Sequence, residues 1–243
     1  MTMTDPSLWA AFPSLVLLGA ILNLDKQVFG PFMLGRPLMA GLILGLAAGE
    51  VGFGVWMGLS AELLWLAALP LGGQITPNAS LAVSAAFIAW VKSCPAPSAA
   101  GPLGAGEPTQ AMLVIAFLTV PAWAKVMGLI DFSCRRLMPK VLARIRADLT
   151  AGREPRFMRR NLRGLVVTLA LSAAVLAAAS FINIHLIRAA AALAPQTLLL
   201  NLGFIYNLLP FAGLLGLAVF LETRAFPFYL GGLAASLLAL SAV

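Results

Sequence analysis

The sequence predicts an all-α membrane fold in which several helices are broken or re-entrant. Three observations predict it. First, 61% of the 243 residues are hydrophobic and 10% are charged, with a mean hydropathy of +0.96. Soluble domains run about half apolar and about a quarter charged, and need a polar exterior that this chain could not supply. Second, several apolar runs approach or exceed the roughly 18 to 20 residues that cross a bilayer as a helix. They are continuous and rich in Leu, Ala and Gly, unlike the short alternating strands of a membrane barrel. Third, the basic charge is concentrated in one place. Residues 135–163 hold ten Lys and Arg against Asp148 and Glu154, so their net +8 exceeds the +7 of the whole chain. A basic connection between apolar helices marks a cytoplasmic loop under the positive-inside rule, and this distribution argues against nucleic-acid binding.

The elements follow in order. Residues 8–24 form a first apolar run that ends at Asp25-Lys26-Gln27. No basic residue precedes it, so it reads as a membrane element and not as a secretory signal. After a Gly/Pro-interrupted link, residues 38–48 are too short to span alone. Residues 51–69 could cross but carry Glu62 near the middle, and the polar break at 71–78 separates them from the apolar run 79–91. Short hydrophobic segments around a polar break are the sequence sign of discontinuous transporter helices. Residues 94–109 read as an extramembrane loop. Residues 111–130 form a candidate span interrupted by Pro121 and Lys125. The basic loop then opens with Leu137, Val141, Ile145 and Leu149 at four-residue spacing, the register of an amphipathic helix lying at the anionic cytoplasmic surface. Residues 165–184, 198–221 (with Pro210) and 226–243 complete six to eight inserted elements in a single membrane domain, 1–243.

Glu62 carries the strongest chemical signal. A carboxylate in the hydrocarbon core costs about 2.5–3.5 kcal/mol on insertion scales, so it faces a polar cavity or a partner. It can accept hydrogen bonds from a polar solute, or bond a backbone donor or a base such as Lys125. Glu50 follows Gly49 at a helix boundary where it can reach water. Gln74, Thr76 and Asn78 supply the neutral donors and acceptors that suit sugar hydroxyls; alternatively they satisfy backbone groups freed at the break. Asn201, Asn207, Glu222 and Thr223 form a looser polar set with no stronger reading than local structure. His185 is isolated at a span end, and no nucleotide-binding motif occurs. Cys94 and Cys134 have neither disulfide-framework nor metal spacing. No cofactor or metal is expected, and the chain is not expected to be an enzyme by itself.

Residues 35–82 resemble the IIC membrane component of the mannose/fructose/sorbose class of the bacterial phosphoenolpyruvate-dependent sugar phosphotransferase system (PTS). The resemblance is carried in order by Asp25, Arg36-Pro37-Leu38, Gly58-Leu59-Ser60-Ala61-Glu62 and Pro77-Asn78, with Phe226-Pro227-Phe228-Tyr229-Leu230-Gly231 near the end. It implies a polytopic transporter subunit in the cytoplasmic membrane, paired with a IID membrane subunit and assembled as a trimer of IIC–IID heterodimers. One part of each subunit would be a scaffold and another would move with a hexose in an elevator-like manner. The soluble IIB protein, charged by IIA, would phosphorylate the sugar. Mapped by motif, Glu62, Gln74, Thr76 and Asn78 fall at the sugar site. Two departures stand out: the pattern's Pro-Asp is Pro77-Asn78 here, and the stretch between Asp25 and Arg36 is a few residues longer. The lost carboxylate opens a second reading, a regulatory or transport-impaired dock for IIA and IIB. A third is an unrelated ion-coupled transporter, although coupling usually needs more buried carboxylates.

Overall fold

The computed structural model describes residues 11–25, 32–65, 77–94, 107–152 and 157–218, and every structural statement refers to these. They form eight helices: α1 (Phe12–Leu24), α2 (Pro37–Ala48), α3 (Val51–Trp65), α4 (Ala79–Ser93), α5 (Glu107–Leu118), α6 (Val120–Thr150), α7 (Phe157–Leu193) and α8 (Gln196–Ala218). No strand occurs among the described residues. The final run 226–243 lies outside them.

The break expected before Glu50 is a tight helical hairpin. Gly49 adopts φ +77° and ends α2, with the Glu50 N–H donating to Gly45 O at 2.8 Å and the Gly49 N–H to Leu46 O at 3.3 Å. That pattern turns the chain back within two residues, in a conformation that glycine reaches without Cβ strain. α2 and α3 then run antiparallel with their backbones almost touching. A Cβ placed on Gly41 would lie 2.2 Å from Gly54 O, and one on Gly58 2.7 Å from Pro37 O. At 12 and 15 residues both helices are shorter than a membrane span.

α4 is the axis of the fold. Every residue from Ala79 to Trp90 is buried, and α1, α2, α3, α5, α6 and α7 all pack on it. Its Ala and Ser side chains let neighbours approach from all sides, as small residues do between membrane helices. Aromatic contacts fill the remaining space: Phe53 meets Trp90 at 4.6 Å, and Trp56 stacks on Tyr206 of α8 at 4.1 Å. Gly19 admits α1 to α4 and α7, since a Cβ there would lie 2.7 Å from a Leu176 methyl and 3.3 Å from Ser84 Cβ.

α5 and the first part of α6, to Ser133, form a bent apolar pair over the run read at 111–130. They meet at 42° around Thr119. Pro121 lacks an N–H and its ring would collide with the Phe117 carbonyl, so the helix restarts at Val120. α7 is long and apolar enough to cross a membrane by itself. Its 37 residues make it about 55 Å long, so His185 lies inside this helix, exposed and edge-on to the Phe181 ring, and not at its end.

Within the basic connection expected at 135–163, the amphipathic register read over its first half is helix, and helix resumes in its second half. α6 continues as helix through Pro139 to Thr150, and α7 already begins at Phe157. Leu, Ala and Arg are good helix formers, and nothing before Gly152 (φ +66°) forces a stop. Arg153 and Arg156 lie outside the described residues. An Asp148–Arg160 ion pair clamps the two helices beside the turn. Being partly exposed, it is worth about 1 kcal/mol or less. Asp148→Ala is therefore expected to leave the unfolding temperature in detergent almost unchanged and to speed amide exchange only around residues 145–163. Loss of protection throughout α6 and α7 would show a larger role for the pair.

Candidate functional site

The polar residues that membrane helices can least easily hide lie along one seam at the ends of α1, α2, α3 and α4. At one end, Arg36 Nη1 donates to Glu62 Oε1 at 2.9 Å, and the Leu38 N–H points at Glu62 Oε2 from 3.4 Å. Leu38 is in the first turn of α2, whose N–H groups have no intrahelical acceptor and whose dipole favours a negative charge. Arg36 precedes that helix without capping it through its own side chain. Glu62 performs that service from α3, because the hairpin sets the third and fourth turns of α3 beside the start of α2. The Glu62 side chain is 18% exposed and that of Arg36 53%. The carboxylate is thus shielded but reachable, with lone pairs beyond those that Arg36 uses.

Next along the seam, Asp25 is buried and accepts from the Phe32 N–H and the Gly35 N–H, both at 3.1 Å. It fixes the chain that delivers Arg36. Two residues earlier, Asn23 Oδ1 accepts from Asn78 Nδ2 at 2.8 Å, while Asn23 Nδ2 donates to Ser172 Oγ at 3.0 Å. Asn78 Nδ2 also faces both Asp131 oxygens at 3.2 and 3.4 Å. The other side-chain atom of Asn78, Oδ1, caps α4 by accepting from the Leu81 N–H at 3.2 Å, and its backbone N–H donates to Ala124 O at 2.9 Å. A fully buried asparagine thereby joins α1, α4 and α6, and through Asn23 it reaches α7.

Of the four expected site residues, Glu62 and Asn78 are described and occupy opposite ends of the seam, without a hydrogen bond between them. Gln74 and Thr76 lie outside the described residues. The basic partner of Glu62 is Arg36; Lys125 is exposed on α6. Asn78 satisfies a backbone donor at the helix start, as one of its two readings had it, and it also bonds a carboxylate that neither reading included. Asn23, Asp131 and Ser172 were not singled out from the sequence. Asp131 left a usable signal, an acidic residue closing an apolar run just before the basic segment. Asn23 and Ser172 left none beyond being polar within apolar runs.

These contacts join the motif residues to one another. Glu62 meets Arg36 and Leu38, Gly58 meets Pro37 and Leu38, and Asp25 holds Gly35. A solved structure described as a membrane protein shares the fold, with a TM-score of 0.58 at 18% identity over 99% of this chain and 92% of its own. A cryo-EM structure of the mannose transporter ManYZ with a microcin aligns at a TM-score of 0.45 and 18% identity, over 100% of this chain and 92% of its own. Among curated proteins nothing matches the chain. The family model of the PTS system sorbose-specific IIC component matches residues 10–242. With nearly its whole length matched, the chain belongs to the sorbose-specific IIC family of the sugar phosphotransferase system.

Proposed function

We propose that this chain is the sugar-translocating IIC subunit of a mannose/sorbose-class phosphotransferase system in a bacterial cytoplasmic membrane, carrying a hexose inward for phosphorylation by IIB. A IID membrane subunit completes the translocator, in a trimer of heterodimers, and IIA supplies phosphate to IIB. The phosphoryl chemistry belongs to those partners, since a IIC component is the membrane subunit of the complex. The basic segment, residues 135–163, faces the cytoplasm where they approach.

The observation that carries this reading is Glu62, a shielded but accessible carboxylate poised at the α2 N-terminus. Its free lone pairs can accept sugar hydroxyls, with Gln74 and Thr76 completing the site and Asn78 bracing the helices behind it. A hydrogen bond to a charged group is worth about 1.5–3 kcal/mol, or roughly ten- to a hundredfold in affinity. Glu62→Gln is therefore expected to lower phosphoenolpyruvate-dependent hexose uptake about tenfold or more in vesicles holding the whole complex, at equal amounts of folded protein. Unchanged uptake would remove Glu62 from the site. Uptake indifferent to phosphoenolpyruvate but abolished by an uncoupler would favour an ion-coupled carrier. The Asp131 carboxylate beside Asn78 supports active transport over a purely regulatory dock, because the charge missing at position 78 stands within hydrogen-bond reach.

A further inference from the structure

Lys125 is exposed on the outer face of α6 and makes no hydrogen bond or ion pair among the described residues. It lies eleven residues before Arg136, about 16 Å along the helix. Measured from Arg136, that lies inside a hydrocarbon core about 30 Å thick. A lysine there extends its chain toward the interface or finds a partner, because a cation left facing acyl chains is strongly disfavoured. The exposed residues around it are apolar: Leu118, Val126, Leu129 and Phe132. Such a stripe is not the wall of a hydrated path. Arg136, at its cytoplasmic end, sits over the Phe132 ring at 4.3 Å.

We propose that this stripe seats a membrane helix of a different protein chain, which presents a carboxylate to Lys125 within the bilayer. A second copy of this chain is the poorer occupant, because the carboxylates within its described apolar helices are engaged, Glu62 with Arg36 and Asp131 with Asn78, while Glu50 and Glu107 lie at helix ends. Ala122 lies one turn before Lys125 and is also exposed, leaving room for a close helix crossing beside the Thr119 bend. The assignment rests on the proposed reading of the chain as one of two paired membrane subunits, and it adds the contact face and the chemistry of the partner.

The test places a photo-crosslinking amino acid at position 129 of the full chain in native membranes and identifies the adduct by mass spectrometry. The expected adduct is a peptide of another membrane protein with an Asp or Glu inside an apolar helix. Lys125→Glu is expected to cut its yield about tenfold or more, since like charges repel across an interface. Changing that Asp or Glu to Lys is expected to restore it. Adducts only with lipid, with a second copy or with this chain's own residues 219–243 would overturn the proposal. So would labelling of Lys125→Cys, in a chain lacking Cys94 and Cys134, by a membrane-impermeant maleimide in the intact complex. Phosphoenolpyruvate-dependent uptake by the same membranes separates the two readings. Uptake without the adduct removes only the docking face, whereas the charge-rescued adduct without uptake keeps the face and removes the transport reading.

Discussion

Asn78→Asp is expected to destabilise the protein by about 3–5 kcal/mol, the range found when a buried charge loses its partner. The substitution keeps the cap on α4, because Asp accepts the Leu81 N–H as well as Asn does. What it removes is the donor. Asn78 Nδ2 now serves Asn23 Oδ1 at 2.8 Å and the Asp131 carboxylate at 3.2 and 3.4 Å. An aspartate would put an oxygen where Nδ2 stands, facing the three acceptor oxygens it serves. Against a total stability of roughly 5–15 kcal/mol such a loss is large, so less folded protein and a melting point lower by several degrees are expected in detergent. The informative comparison is Asn78→Asp with Asp131→Asn. The double variant exchanges donor and acceptor across the same contact and is expected to recover most of the stability, an interaction energy that a double-mutant cycle measures directly. Two independent penalties that simply add would show that the two side chains do not act on each other. Recovery would also mean that the pattern's carboxylate has changed helices, from the start of α4 to α6, and that Asn78 is its counterpart.

The elements legible in the sequence were those whose cause is local. Glycine at 49, proline at 121 and the shortness of the runs at 38–48 and 79–91 all act within a few residues, and the hairpin, the 42° bend and the short buried α4 lie where those signals put them. The motif spacing was legible as well, and its physical meaning is the set of contacts among Asp25, Gly35, Arg36, Leu38, Gly58 and Glu62. Partnerships across helices were not. That Glu62 pairs with Arg36, and that Lys125 faces outward, depends on the register in which α2 lies against α3 and on the rotation of α6, which no single run specifies. Asn23, Asp131 and Ser172 are unremarkable one at a time; they become a cluster only where α1, α6 and α7 converge on the start of α4. The basic segment was legible in part. Its four-residue apolar spacing marked the helix over its first half, whereas the start of α7 at Phe157 left no such register.

The second large effect is expected at Gly54. A Cβ added there would lie 2.3 Å from Gly41 O and 2.9 Å from Gly45 Cα. Both are backbone atoms, so no side chain can swing away and α2 and α3 must separate. Overpacking in a core costs about 1–3 kcal/mol and more where the backbone has to move, so Gly54→Ala is expected at or beyond the upper end of that range. Two other glycines calibrate the result. Gly49→Ala meets nothing within 4 Å but must hold φ +77°, costing about 1–2 kcal/mol. Gly164→Ala also meets nothing and lies within a helix, where alanine is favoured by about 1 kcal/mol. Thermal unfolding of the three variants in detergent should therefore rank Gly54→Ala lowest, Gly49→Ala next and Gly164→Ala at or above the parent. If Gly54→Ala were as benign as Gly164→Ala, the backbone contact would not hold the hairpin together. Function should follow the same contact. Glu62 lies two turns beyond Gly54 and reaches the Leu38 N–H only while the helices touch, so Gly54→Ala protein that still folds is expected to transport less sugar per molecule than Gly49→Ala protein does. Equal transport per folded molecule would separate the hairpin's packing from the proposed role of Glu62.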